Sequence, residues 1–178
     1  MMSSFLKIVI LSATLDPQPL QKYFGDDLYA LQVEGRSYPI DIEYLQQPVK
    51  NIVQEGCKYI QKICSEDDFN GDILFFLPGV REIRQAQESL RNLTRSVFPL
   101  HGKLSPKEQD LVLQSTNTKI ILATNIAETS LTLPNVTYVI DSGLHRVAYD
   151  HEGITHLKTE WISTDSADQR AGRAGRVQ

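Results

Sequence analysis

The sequence contains no apolar run approaching the roughly 20 residues that carry a helix across a bilayer. The stretch Phe5–Leu11 is short, holds Lys7 and follows no basic segment, which argues against a secretory leader. Cysteine is scarce, with only Cys57 and Cys64, and both fall within one helical pattern. Seven helical residues rise about 10.5 Å, beyond the reach of a disulfide, and the pair lacks the CxxC spacing of a metal site. Free thiols in an intracellular, cytoplasmic chain are the expectation. Positive charge is not in excess: 18 Lys and Arg stand against 22 Asp and Glu, for a net charge of −4. That excludes a domain-wide basic surface, so any phosphate contact has to come from a local cluster. There is no GxxxxGK[ST] phosphate loop, no GxGxxG turn and no Ser–His–Asp arrangement. His151 and His156 superficially suggest HExxH, but their spacing of five puts them about 140° apart on a helix, so no metal site is expected.

The chain does have the means to build a core. Of 178 residues, 41% are apolar and 22% charged, the balance of one compact domain rather than of a disordered tract. Short β-branched runs read as buried strands at Lys7–Leu11, Leu28–Val33, Asp41–Leu45, Ile73–Leu77, Val97–Leu100, Lys119–Ala123 and Val136–Asp141. Between several of them lie helical patterns. Val49–Ile63 is apolar at near-helical spacing with Gly56 as a weak point, and Val80–Leu93 carries Ile83, Ala86, Leu90 and Leu93 on one stripe. Ser105-Pro106-Lys107-Glu108 has the capping Ser, first-turn Pro and returning Glu of a helix start. Strand–helix alternation predicts an α/β fold, a mostly parallel sheet flanked by helices on both faces. His145–Tyr149 and Ile154–Lys158, flanking Asp150-His151-Glu152-Gly153, predict an added β-hairpin.

In such sheets ligands gather at the carboxyl ends of the strands. Those ends carry Ser12-Ala13-Thr14, Thr124-Asn125 and Asp141-Ser142-Gly143. The last residues add an unusual cluster, Gln169-Arg170-Ala171-Gly172-Arg173-Ala174-Gly175-Arg176. On a continuous helix Arg173 lies about 40° and Arg176 about 20° from Gln169, a single polar stripe that leaves Arg170 pointing elsewhere. Each glycine costs such a helix roughly 1 kcal/mol against alanine, so local propensity does not explain the sequence. A phosphate chain does: two guanidinium groups oppose its charge, the Gln169 amide can orient a water, and Gly172 and Gly175 allow another backbone or a ligand close approach. A solvated, arginine-rich helix end and a flexible RNA-binding tail are the competing readings. Thr124 and Asn125 have an equally plain role as helix caps.

The order of motifs is more specific than any one of them. Ser12-Ala13-Thr14, Gly35-Arg36-Ser37-Tyr38-Pro39, Phe76-Leu77-Pro78-Gly79, His101-Gly102, Thr124-Asn125-Ile126-Ala127-Glu128-Thr129-Ser130-Leu131-Thr132, Val139–Gly143 and Gln169–Arg176 occur in that sequence. Together they resemble the DEAH-box family of superfamily 2 ATP-dependent helicases, of the bacterial HrpB type, over nearly the whole chain. The DEAH tetrad and phosphate loop are missing, and in that family both lie upstream of the SAT motif. The resemblance therefore implies a second RecA-like domain over residues 17–178, with residues 1–16 as the last strand and SAT motif of a preceding RecA-like domain.

By the same resemblance, Arg173 and Arg176 are arginine fingers for the γ-phosphate of an ATP, and Gln169 positions the attacking water. Nucleotide and Mg²⁺ are held mainly by the first RecA-like domain. Ser130 and Thr132 sense the nucleotide, and Ser12 and Thr14 couple hydrolysis to domain movement. Thr124, Asn125 and Gly102 touch the backbone of single-stranded RNA or DNA. Leu113 falls where many relatives stack an aromatic on the base, and Pro134 where many hold the ribose with an acid. The hairpin resembles a strand-separating wedge, or else simply packs on a neighbouring domain. Partners implied are the first RecA-like domain and the C-terminal domains of the same full-length chain, with no membrane. The fragment by itself is expected to hydrolyse negligible ATP. Two other functions compete: a stand-alone RNA-binding or regulatory module without catalysis, and a small-molecule α/β enzyme with its own pocket.

Overall fold

Ile73-Leu74-Phe75-Phe76 form the middle of the protein, with no side chain more than 1% exposed. The structure, a computed structural model, describes residues 7–11, 16–25, 28–31, 38–66, 69–129 and 131–176, the last of these through its main chain only. Strand β1 (Asp72–Phe76) lies between β3 (Lys119–Ala123) and β4 (Val136–Asp141), and β2 (Ser96–Leu100) flanks β3. All pairings are parallel. The apolar continuity of β1 and β3 is explained by burial on both faces. On one face Ile73, Phe75, Ile120 and Leu122 meet α2 (Ile52–Cys64) and α3 (Val80–Ser89) through Ile60, Ile83 and their neighbours. On the other, Leu74, Phe76, Ile121 and Ala123 meet Val112 of α4 (Pro106–Gln114) and Ala127 of α5 (Ile126–Thr129). The expected parallel sheet with helices on both faces is what forms.

Local sequence sets the helix boundaries. Asn51 caps α2 by accepting from the Gln54 N–H, so the helix starts at Ile52 rather than Val49. Ser105 and Glu108 close the predicted capping box of α4, with the Ser105 N–H 2.7 Å from Oε2 of Glu108. Those bonds from Ser105 hold the Glu108 carboxyl below its ordinary range. Gly56, read as a weak point of α2, is where the Phe75 ring packs; a Cβ there would sit 2.2 Å from that ring. Cys57 and Cys64 are free thiols, and burial pushes Cys57 up to about 11, so it serves as a neutral packing group.

The hairpin forms as expected from β5 (Leu144–His151) and β6 (Ile154–Trp161), paired from Leu144↔Trp161 to His151↔Ile154. Its turn residues Glu152 and Gly153 both have positive φ, 54° and 76°, the geometry that matches strand twist in a two-residue turn. Helix α6 (Thr164–Ala171) follows, capped by Ser163, and then a short 3-10 turn (Ala174–Arg176).

Three predicted strands are not seen among the described residues. Lys7–Leu11, Asp41–Leu45 and the described residues 28–31 are irregular, and residues 32–33 lie outside the described residues. A strand needs a hydrogen-bonded neighbour, and among the described residues these segments pair with none; Leu11 is 89% exposed despite its sequence pattern. The chain divides into two compact units, residues 1–35 and 36–178. The sheet and hairpin lie in the second; α1 (Pro17–Phe24), capped by Asp16, lies in the first. No helix among the described residues is long and apolar enough to cross a membrane.

Candidate functional site

Parallel register brings the carboxyl ends of all four strands to one edge: Phe76 of β1 pairs with Ala123 of β3 and Asp141 of β4, and Leu100 of β2 pairs with Ala123. The polar residues singled out in the sequence follow directly. Gly102 is an exposed turn residue after β2, and Thr124, after β3, donates its N–H to the Leu100 carbonyl at 3.0 Å. Asn125 is exposed, and its carbonyl begins the single turn of α5 by accepting the Glu128 N–H at 3.0 Å.

His101 sits at the same edge, with Nδ1 buried and without a hydrogen-bond partner among the described residues. Burial, together with the nearby Arg84 and Lys103 charges, holds its pKa below the ordinary value; its own backbone hydrogen bond and Glu108 act the other way.

The arginine cluster is locked onto this edge by Arg170. Its guanidinium is fully buried, 2.7 Å from Glu128 Oε1 and 2.7 Å from Asp141 Oδ1, and lies 4.7 Å above the Phe76 ring centroid. It also donates to the Leu144 carbonyl at 3.4 Å. One side chain thus ties α6 to the end of β4, to α5 and to the root of the hairpin. A second tie holds the hairpin, where Arg146 pairs with Glu82 of α3 at 2.9 Å directly over Gly79. Sequence reading noted only that Arg170 leaves the polar stripe; its two carboxylate partners were not foreseen. The signal was Glu128, the one charged residue of the 124–132 motif.

The continuous helix that defined the stripe is not present. Helix α6 ends at Ala171, with Gly172 at its C-cap, and a separate 3-10 turn follows in which Gly175 departs from helical φ/ψ. Residues 169, 173 and 176 therefore do not share one helix face. The change shows in the ladder: the Gly172 N–H still makes the α-helical bond to the Asp168 carbonyl at 2.8 Å, whereas the Arg173 N–H donates one residue short, to the Arg170 carbonyl at 3.1 Å, the tighter 3-10 step. Arg173 is fully buried and turns inward. Its Nε and Nη2 donate to the Glu128 carbonyl and Nη1 donates to the Leu131 carbonyl at 2.5 Å, filling main-chain acceptors left at the end of α5. Gln169 is half-buried on α6 and Thr132 is exposed. Leu113 packs against the core on the α4 face. Ser12, Thr14 and Ser130 lie outside the described residues, as does the side chain of Arg176.

Chemically, this edge fits an anion better than a metal. It carries the Thr124 hydroxyl, the Asn125 and Gln169 amides and the Arg173 guanidinium, which donates to the Glu128 and Leu131 carbonyls. No three His, Cys, Asp or Glu side chains converge into a metal-binding group among the described residues.

Comparison with known proteins agrees with this arrangement. The profile of the helicase conserved C-terminal domain matches residues 55–178. The ATP-dependent RNA helicase HrpA of Escherichia coli is 39% identical over 182 residues, covering 97% of this chain and 14% of HrpA. HrpB of the same organism is also 39% identical, covering 97% of this chain and 22% of HrpB. A crystal structure of E. coli HrpB, described as a DExH-box NTPase, superposes with a TM-score of 0.78 at 36% identity, over 98% of this chain and 22% of that one. The chain thus spans a minor part of the length of the relatives it matches.

Proposed function

Because the chain belongs to the helicase conserved C-terminal domain family, and resembles the DEAH/RHA helicases within it, we propose that it is the second RecA-like domain of an ATP-dependent helicase acting on RNA. On this reading residues 1–16 close the preceding RecA-like domain and residues 17–178 form the second. ATP binds between the two, held mainly by the upstream domain, and the fragment alone turns over negligible nucleotide.

The observation that carries the proposal is the buried Arg170, which fastens the arginine turn to the carboxyl edge of a parallel sheet. Arg173 and Arg176 act as fingers on the γ-phosphate, and Gln169 orients the attacking water. For Arg173 this requires an exchange. Its donors leave the Glu128 and Leu131 carbonyls for phosphate oxygens, charged acceptors that bind a guanidinium roughly twice as strongly as neutral ones. Ser130 and Thr132 sense the nucleotide, and Leu113 makes an apolar contact with its base. Mg²⁺ would be held with the phosphates, mainly by the upstream domain. Gly102, Thr124 and Asn125 grip the nucleic-acid backbone without reading bases. Ser12 and Thr14 link hydrolysis to the movement of one domain against the other.

The test is nucleic-acid-stimulated ATP hydrolysis by the full-length protein. Arg176→Ala is expected to lower it by about a thousandfold, the order seen when an arginine finger is removed. An unchanged rate refutes the finger assignment. A second reading, an RNA-binding module without catalysis, is favoured by the inward turn of Arg173. It predicts RNA binding that is indifferent to ATP in both wild type and Arg176→Ala.

A further inference from the structure

Two sequence motifs more than a hundred residues apart meet at Gly175. The main-chain N–H of Tyr38 donates to the Gly175 carbonyl at 3.0 Å. Ile40 covers the same glycine so closely that a Cβ built there would stand 2.9 Å from Ile40 Cδ1 and 2.9 Å from the Tyr38 carbonyl oxygen. Gly175 is buried, with φ −90° and ψ 15°, values open to any residue. Its identity is therefore set by contact and not by backbone conformation. Neither Tyr38 nor Ile40 lies in a regular element, and Ile40 is outside both buried clusters of the sheet. A segment that adds nothing to the core yet presses on one glycine beside the arginines needs another explanation.

We infer that Tyr38-Pro39-Ile40 is a positioning strap for the arginine turn, fixing the main chain at Gly175 and, through it, the place from which Arg176 projects. The inference rests on the reading of Arg176 as a finger. Physically the strap does what α6 cannot, because that helix has already ended at Ala171 and both Arg170 and Arg173 are fastened on the near side of the turn, before Gly175. A hydrogen bond and an apolar lid on the far side remove the remaining freedom. Proline at position 39 stiffens the strap, since its φ is fixed and it biases Tyr38 toward extended backbone. Displacing a reacting group by about 1 Å can cost on the order of a hundredfold in rate.

The experiment uses the full-length protein and two readouts. Hydrogen exchange at the Tyr38 amide reports the strap itself: protection is expected in wild type and its loss in Gly175→Ala. Free exchange in wild type overturns the inference. Steady-state ATP hydrolysis reports the consequence. Gly175→Ala is expected to lower kcat about tenfold or more while KM for ATP moves less than about threefold, the pattern of a group that acts in the transition state. Ile40→Ala, which adds no bulk, is expected to lower kcat in the same sense. The double variant relieves the Cδ1 clash and recovers part of the Gly175→Ala loss, so the two changes are non-additive. A kcat within twofold of wild type for Gly175→Ala, alongside an impaired Arg176→Ala, overturns the strap and leaves the finger standing. An unchanged Arg176→Ala with the Tyr38 protection pattern intact refutes the finger instead.

Discussion

The Arg170 guanidinium lies 2.7 Å from Oε1 of Glu128, and the two residues come from opposite ends of the site: one from the last turn of α6, the other from the single turn of α5. The pair is buried on the arginine side and nearly so on the carboxylate side, where Glu128 is 15% exposed. Asp141 completes the arrangement, so that one cation is shared between two anions. Removing the cation leaves Glu128 largely buried without its partner, while the more exposed Asp141 keeps the Gly143 N–H at 2.8 Å.

Arg170→Ala is therefore expected to destabilise the chain by about 3–5 kcal/mol, the usual loss when one partner of a buried ion pair is deleted. Arg170→Lys keeps the charge but not the planar fork that reaches both acids, and falls between the two. Urea unfolding followed by circular dichroism measures this. A loss under about 1 kcal/mol for the alanine variant would show that Arg170 does not hold the site together.

Gly56 offers a test in which local and tertiary effects have opposite signs. Alanine would improve the propensity of α2 by about 1 kcal/mol. The added methyl, however, meets the Phe75 ring at 2.2 Å, and overpacking a filled core costs about 1–3 kcal/mol. Gly56→Ala is expected to lower the midpoint of thermal unfolding. A rise would mean that the Phe75 ring yields and the packing is looser than it looks.

The stability of the edge should depend on pH through His101. Burial, Arg84 and Lys103 hold its folded pKa below the ordinary 6.5, so between the two values the unfolded chain binds more protons than the folded one. Stability contributed by neutral His101 is thus complete above about pH 6.5 and is lost as pH falls through the folded value. Glu108 is also depressed, by its bonds to Ser105, but it acts in a lower window beneath the ordinary carboxylate value of 4.5. Melting temperatures at pH 7.5 and 5.5 separate the two. Wild type is expected to lose more between these points than His101→Gln, the other three histidines being common to both proteins. Equal losses would remove His101 from the account.

What the sequence determined by itself was everything that short-range physics can specify. The apolar runs Ile73–Leu77 and Lys119–Ala123 are strands because they are buried on both faces, and the run is visible without knowing what buries it. The Ser105–Glu108 capping box and the Glu152-Gly153 turn are made by neighbours in the chain, so spacing alone predicts them. The order of the motifs indicated the family by resemblance, not by local physics.

Tertiary structure decided what depends on partners distant in sequence. Lys7–Leu11 and Asp41–Leu45 carry strand-like residues but form no strand, because a ladder needs a neighbour that composition cannot supply. The polar stripe of Gln169, Arg173 and Arg176 assumed an uninterrupted helix. In the fold that helix ends at Ala171, and Arg173 turns to the Glu128 and Leu131 carbonyls. Arg170 gained its two acids, and Gly175 its strap, only when segments from opposite ends of the domain came together. A side chain's type is written in the chain, whereas the dielectric around it and the groups within hydrogen-bonding reach are set by packing.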